Sequence, residues 1–272
     1  MTASTAYFDR FVNQFIIRGR LVLDSPMHIG EGKKQVFGPD NGVVKTHDNQ
    51  PYIPGSSLKG VLRSFLERIA HTLDYDENYY SKPCQSVSQT GQICLYRYQN
   101  KNARQDLLRR LGGDEERFQQ TLARESCPIC HLFGNQMRAA KVKIRDAIVC
   151  HPWAEQYATR QGNAIDRDTG KVSGRFLYDF EVVPTGTTFQ FQLVADNLAE
   201  TEQLWLATAL EALRQGHLTI GGKVARGLGH VHGEDWTVQI IREDNLLSHL
   251  LGQEVPAQPF EHFLNELNPQ GV

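Results

Sequence analysis

The chain is 272 residues long, 40% hydrophobic and 22% charged, which is enough apolar content to bury one substantial core and too much to stay disordered. No apolar run reaches the length of a membrane span and Met1–Arg10 has no signal-peptide core, so the expected location is cytoplasmic. The net charge of −2 is unevenly spread: Val231–Val272 holds seven acidic residues against Arg242, leaving the preceding residues net positive.

Phe15, Ile17, Gly19, Leu21 and Leu23 alternate along Phe15–Leu23, the pattern of a half-buried strand. After a glycine-bearing loop, Pro54-Gly55 turns the chain into a helix over about Leu58–Leu73, with Ser56 or Ser57 as its N-cap. The helix stripe is Leu58, Leu62, Phe65 and Ile69. Val142–Val149 reads as a second strand, and Phe176–Val183 with Thr188–Ala195 as a hairpin across Pro184-Thr185-Gly186. A second helix covers about Ala199–Gln215 on Leu206, Leu210 and Leu213, and Leu218–Ile220 with Thr237–Ile241 supplies the last strands. The order β-α-β-β-α-β is that of an α+β, ferredoxin-like (RNA-recognition-motif-like) sheet with helices on one face. Residues 1–272 thus read as one domain with insertions at about 74–135, rich in cysteine, and 152–175, a polar projecting hairpin. Phe260–Leu267 is a short amphipathic piece that packs on a neighbour or stays loose.

Lys59 and Arg63 lie off the first helix's stripe and near its start, where free amides and the helix dipole already favour an anion such as phosphate. Lys59–Arg110 and Arg138–Arg175 each carry an excess of bases, compatible with an RNA-binding face. Cys127-Pro128-Ile129-Cys130 is a C-x-x-C knuckle; Cys84 and Cys94 can complete a tetrahedral structural zinc site, with His131 as a substitute ligand. So polar an insertion has little core of its own, and a metal would be its main source of order. Cys150 is left over and expected to be buried beside its strand. In Ile220–Gly229, Gly221, Gly222, Gly227 and Gly229 allow close backbone approach while Lys223 and Arg226 add charge. That suits a loop lying along an RNA backbone, or a glycine-rich turn with no ligand. His28 is expected to be a packed, hydrogen-bonded residue, since no Ser-His-Asp order, helical H-E-x-x-H or phosphate loop marks a catalytic histidine.

Taken in order, Leu21–Gly30, Pro51–Arg63, Cys130–Gly134, Ile144–Ala147, Ile165–Gly170, Phe180–Pro184 and Ile220–Gly229 resemble the RAMP superfamily of CRISPR-associated RNA-binding proteins. The likeness is closest to the repeating backbone subunit of type III (Csm/Cmr-type) effector complexes, and it runs from about residue 15 to residue 231. It implies a prokaryotic ribonucleoprotein subunit of antiviral defence, bound to CRISPR guide RNA, target RNA and neighbouring RAMP subunits. Guide contacts are implied for Ser56, Ser57, Lys59, Arg63, Arg138, Gly221, Gly222, Lys223, Arg226 and Gly227, and zinc for the cysteine insertion. Arg160–Arg175 looks like the family's thumb, with Ile165 placed to wedge between bases and Arg160, Arg167 and Lys171 beside phosphates. In catalytic members the acid required for target cleavage shortly precedes the Pro-Gly-Ser-Ser turn, which maps to Asp40, with Asp48 its nearest rival. Such an endoribonuclease uses magnesium or manganese and lets the ribose 2′-hydroxyl attack the adjacent phosphate, leaving DNA uncut. Two alternatives stay open: a non-catalytic scaffold in the same complex, and a precursor guide RNA-processing endoribonuclease.

Overall fold

Along β1 (Asn13–Leu23) the side chains of Phe15, Ile17, Leu21 and Leu23 are buried while Arg18 and Arg20 are exposed, so period-two patterning sets one inward face. The computed structural model describes residues 8, 10–32, 41–70, 94–95, 100–154, 156–162 and 178–267. Asp40, Cys84, Ile165, Arg167 and Lys171 lie outside the described residues. After β1 come β2 (Tyr52–Ile53), α1 (Gly55–Ala70), α2 (Lys101–Arg110), α3 (Glu115–Arg124), α4 (Pro128–Phe133), β3 (Val142–Ile144) and β4 (Ala147–Ile148). The second half holds β5 (Ala158–Gly162), β6 (Tyr178–Val182), β7 (Thr188–Asp196), α5 (Glu200–Arg214), β8 (Val231–Arg242), α6 (Leu246–Leu250), β9 (Ala257–Pro259) and α7 (Phe260–Leu267).

The architecture is α+β around a central antiparallel sheet of order β3-β7-β1-β8-β9. β1 is its middle strand, and the pairs Ile17↔Leu193, Leu21↔Phe189 and Ile17↔Val238 build a continuous apolar face. Leu58, Leu62 and Leu66 of α1 and Leu206, Leu210 and Leu213 of α5 pack against that face in one core. Phe260 and Phe263 of α7 join it beside Trp236 and Phe15, so the terminal amphipathic helix covers its own sheet. Among the described residues no helix is long and apolar enough to cross a membrane.

Several local expectations are corrected. α1 starts at Gly55, and its fully buried residues include Leu66 and Ala70, while Phe65 and Ile69 are half-buried, so the buried stripe is rotated slightly from the expected one. Val142–Val149 is not one strand, because the chain leaves the main sheet after Ile144 and pairs with β2 at Ala147–Ile148. β6 and β7 are not a hairpin: β6 pairs with β5, from Ala158↔Val182 to Gly162↔Tyr178, whereas β7 pairs with β1 and β3. Both strands alternate well, and alternation cannot name the partner. The cysteine-bearing insertion does have a core, in which Leu107 of α2 and Phe118 and Leu122 of α3 bury each other with Leu95. Cys150 is exposed, at the end of the β2–β4 pairing.

Candidate nucleic-acid interface and metal centre

α1 begins where Gly55 passes against the Ile144 backbone so closely that a Cβ would overlap the carbonyl. Its first amide is capped from far along the chain, Gly55 N–H donating to Asp146 Oδ1 at 2.7 Å. Ser56 and Ser57 therefore lie within the first turn and are not the cap. Two grooves flank the helix and share Gly60. One, about 590 Å³, runs between α1 and the glycine-rich loop past Gly30, Ser57, Ser64, Gly221 and Gly222. The other, about 560 Å³, is lined by Ser56, Lys59, Arg63, Gly134 and Arg138. Burial, with the Arg63 charge alongside, pushes the Lys59 ammonium pKa down, a penalty that a bound anion would relieve. Arg63 is braced by Glu67 Oε1 at 2.8 Å and the Gly134 carbonyl at 3.0 Å. Arg138 Nη1 lies 3.2 Å from His131 Nε2.

Across the first groove, the glycine-rich loop is sewn to the end of β1. Gly222 N–H donates to the His28 carbonyl at 2.8 Å, and Gly229 N–H to the Pro26 carbonyl at 2.9 Å. Lys223 and Gly227 take left-handed backbones on either side of a 3₁₀ turn, Val224–Arg226, and Arg226 stands exposed. His28 is buried, with its Nδ1–H donating to the Glu181 carbonyl at 2.7 Å and its ring edge-on to Phe180. Burial, aided by the Lys223 charge, holds its pKa below the usual histidine value in spite of the Glu181 carbonyl. A packed, hydrogen-bonded His28 agrees with the sequence expectation.

Glu181 received no role from the sequence, although it lies in one of the matching segments. Its N–H donates to the Asn41 carbonyl at 3.0 Å, Oε2 accepts from Val43 N–H at 3.1 Å, and Oε1 pairs with Lys45 Nζ at 3.0 Å. The segment 41–45, directly after Asp40, is thereby fixed to β6. Asp48 is exposed in the following turn, 3.0 Å from His47 Nε2.

The Sγ atoms of Cys94, Cys127 and Cys130 all lie within 4.8 Å of one another. Tetrahedral zinc with Zn–S near 2.3 Å needs sulfurs about 3.8 Å apart, so this trio fits three positions of such a site. Cys127 N–H also donates to Cys94 Sγ at 3.2 Å, which favours the thiolate. Cys84, the expected fourth ligand, is outside the described residues. His131 is turned to other partners, with Nδ1 3.1 Å from Glu202 Oε1 and Nε2 2.9 Å from the Ala123 carbonyl. Glu202 Oε2 also holds Lys141 Nζ at 2.6 Å and accepts from Ala199 N–H at 2.8 Å, with Glu202, Lys141 and His131 all buried. This cluster fastens α4 to α5 and to the strand below the basic groove, and nothing in the local sequence around Lys141 or Glu202 signals it.

Burial alone would raise the Glu202 carboxyl pKa, but the His131 hydrogen bond and the Lys141 charge outweigh it and hold it below the ordinary carboxylate value. A carboxyl depressed on folding contributes stability above its ordinary value, and that contribution is lost as pH falls through the folded value. Glu202→Gln should cost about 3–5 kcal/mol in denaturant unfolding at neutral pH, because it leaves Lys141 buried without its counter-charge. The loss should shrink as pH falls below the ordinary carboxylate range and through the depressed folded value, where the wild-type carboxylate is itself protonated.

The RAMP superfamily model matches residues 20–232, from within β1 to the start of β8, and so takes in both grooves and the glycine-rich loop. The CRISPR system Cms endoribonuclease Csm3 of Methanocaldococcus jannaschii is 25% identical over 234 residues, 81% of this chain and 78% of its own. The protein of the same name from Methanothermobacter thermautotrophicus is 25% identical over 237 residues, 82% and 84% of the two chains. On the breadth of the family match, the chain belongs to the RAMP superfamily.

Proposed function

We propose that this protein is a guide-RNA-binding backbone subunit of a type III CRISPR effector complex that also cuts target RNA. The observation that carries the proposal is the pair of grooves meeting at Gly60, one lined by Lys59, Arg63 and Arg138, the other by Gly221 and Gly222. An RNA backbone crossing α1 would meet cations on one side and closely approachable main chain on the other, without any reading of bases. Ser56 and Ser57 offer hydroxyls at the crossing, and Lys223, Arg226 and Gly227 extend the path along the loop. The relatives' names, CRISPR and endoribonuclease, agree with this reading. We read β3-β7-β1-β8 with α1 and α5 as a ferredoxin-like core, and the β5–β6 pair as the base of a thumb that carries Ile165 and Arg167.

Cleavage is assigned to Asp40. Its carboxylate would orient the 2′-hydroxyl of the target ribose and accept its proton as the 2′-oxygen attacks the adjacent phosphorus. The bond from phosphorus to the 5′-oxygen breaks, leaving a 2′,3′-cyclic phosphate and a 5′-hydroxyl protonated from solvent. A magnesium or manganese ion, when bound, supplies positive charge at the scissile phosphate. Among the described residues, the group of three or more metal-ligating side chains is the thiol cluster, which suits zinc and not these oxygen-seeking ions. Asp40 is the protein oxygen this reading assigns to them, with Asp48 its nearest rival. Zinc at Cys84, Cys94, Cys127 and Cys130 would be structural.

In a complex reconstituted with guide and neighbouring subunits, the wild type should cut RNA and spare DNA. Asp40→Ala should bind target normally with cutting reduced at least about 100-fold, as expected for loss of a positioned proton acceptor. Lys59→Glu with Arg226→Glu should lose guide at moderate salt. Undiminished cutting by Asp40→Ala would remove the catalytic assignment, and a wild type that binds without cutting would favour the scaffold. Metal analysis should return about one zinc per chain, and Cys127→Ser should lower both zinc content and melting temperature while target cutting continues. A chain free of zinc after purification without chelator would refute that part.

A further inference from the structure

We infer that Tyr178 is a positioning residue that aims both cations of the glycine-rich loop, Lys223 and Arg226, at an RNA backbone. The inference rests on reading that loop as an RNA contact. Tyr178 stands opposite Gly162 in the β5–β6 register, and its ring lies so close across the stem that a Cβ at residue 162 would overlap it. Together with Phe180, whose ring centroid is 6.1 Å away, it makes an aromatic face on this stem. Lys223 Nζ sits 4.5 Å from the Phe180 centroid and 5.2 Å from that of Tyr178. The Arg226 guanidinium is 5.8 Å from the Tyr178 centroid, and its Nη1 donates to the Tyr178 hydroxyl. Leu228 packs beneath with Phe180 and Val182, so the loop is seated on the stem by an apolar contact as well.

The choice of partner matters chemically. A carboxylate would hold these cations by cancelling their charge. An aromatic face holds a cation through its quadrupole and leaves the charge intact. Lys223 and Arg226 are therefore fixed in direction yet still able to attract phosphate. Lys223 also takes a left-handed backbone, φ 60°, which is uncommon for a lysine and brings its side chain back over the rings. Because β6 carries both this platform and Glu181, the loop cations and the segment 41–45 share one support.

The test is binding of the full-length chain to a fluorescent single-stranded RNA oligonucleotide across a salt series, with melting temperature measured on every variant. Lys223→Ala and Arg226→Ala should each flatten the plot of log affinity against log salt by about 0.7, the value for one phosphate contact on a single strand. Tyr178→Ala should flatten it by the Arg226 share and part of the Lys223 share, because Phe180 still faces Lys223, and adding Arg226→Ala to it should change little more. Tyr178→Phe keeps the ring and loses the hydroxyl, so it should lose only the Arg226 share. A wild-type slope in Tyr178→Ala, with the two cation variants flattened, overturns the platform and leaves the RNA reading standing. If Tyr178→Ala fails to fold, Tyr178→Leu, which fills the site but has neither ring nor hydroxyl, takes its place, and a wild-type slope there overturns the platform equally. Wild-type slopes in both cation variants would show that the loop does not touch RNA, and the inference falls with that reading.

Discussion

A buried carboxylate must have its lone pairs answered, and at Glu181 that requirement organises the whole proposed reaction centre. Its two oxygens take Val43 N–H and Lys45 Nζ, its own amide goes to Asn41, and its carbonyl takes the His28 ring. Those four bonds join the chain leaving β1, the segment after Asp40 and the stem of the β5–β6 hairpin. His28 passes the constraint on, since its carbonyl receives Gly222 from the glycine-rich loop. Neither end of this chain of contacts can shift without leaving a buried polar group unpaired, and such a loss costs more than a surface ion pair returns.

The remaining ties are also long in sequence and short in space. Asp146 caps α1 across 91 residues, fixing where the helix begins relative to β3. Glu202 gathers His131 and Lys141 in the interior, fixing α4, which carries the clustered thiol of Cys130 and has Cys127 at its N-cap. Arg63 ties α1 to the end of α4, because its guanidinium reaches the Gly134 carbonyl in the groove that both residues line. A rigid wall with cations already placed loses less side-chain freedom on meeting a polyanion than a set of loose surface lysines would.

What was legible in the sequence followed from local chemistry. The stripes on α1 and α5, the alternation of β1, the C-x-x-C knuckle and the glycine-rich loop each state their geometry within a few residues. The left-handed Gly221, Gly227 and Gly229 and the loop's approach to His28 match what its glycines permit, whereas the left-handed Lys223 does not follow from them. What was misread depended on partners far away. β6 alternates like a hairpin mate of β7 but is claimed by β5, and Val142–Val149 is cut where Asp146 turns to cap α1. Ser56 and Ser57 are good capping residues two and three positions past Pro54, where the helix is entered. Glu181, Glu202 and Tyr178 carry no local signature, because a buried acid or a half-buried tyrosine is informative only once its neighbours are known.

The central claim is that the surface around α1 and the glycine-rich loop holds a guide RNA. It is tested most directly by isolating the native complex through this subunit and sequencing the RNA that remains bound after a salt wash. The account predicts short RNAs that share one constant, repeat-derived end and differ beyond it. Recovery of the complex without RNA, or with fragments that share no common end, would contradict it.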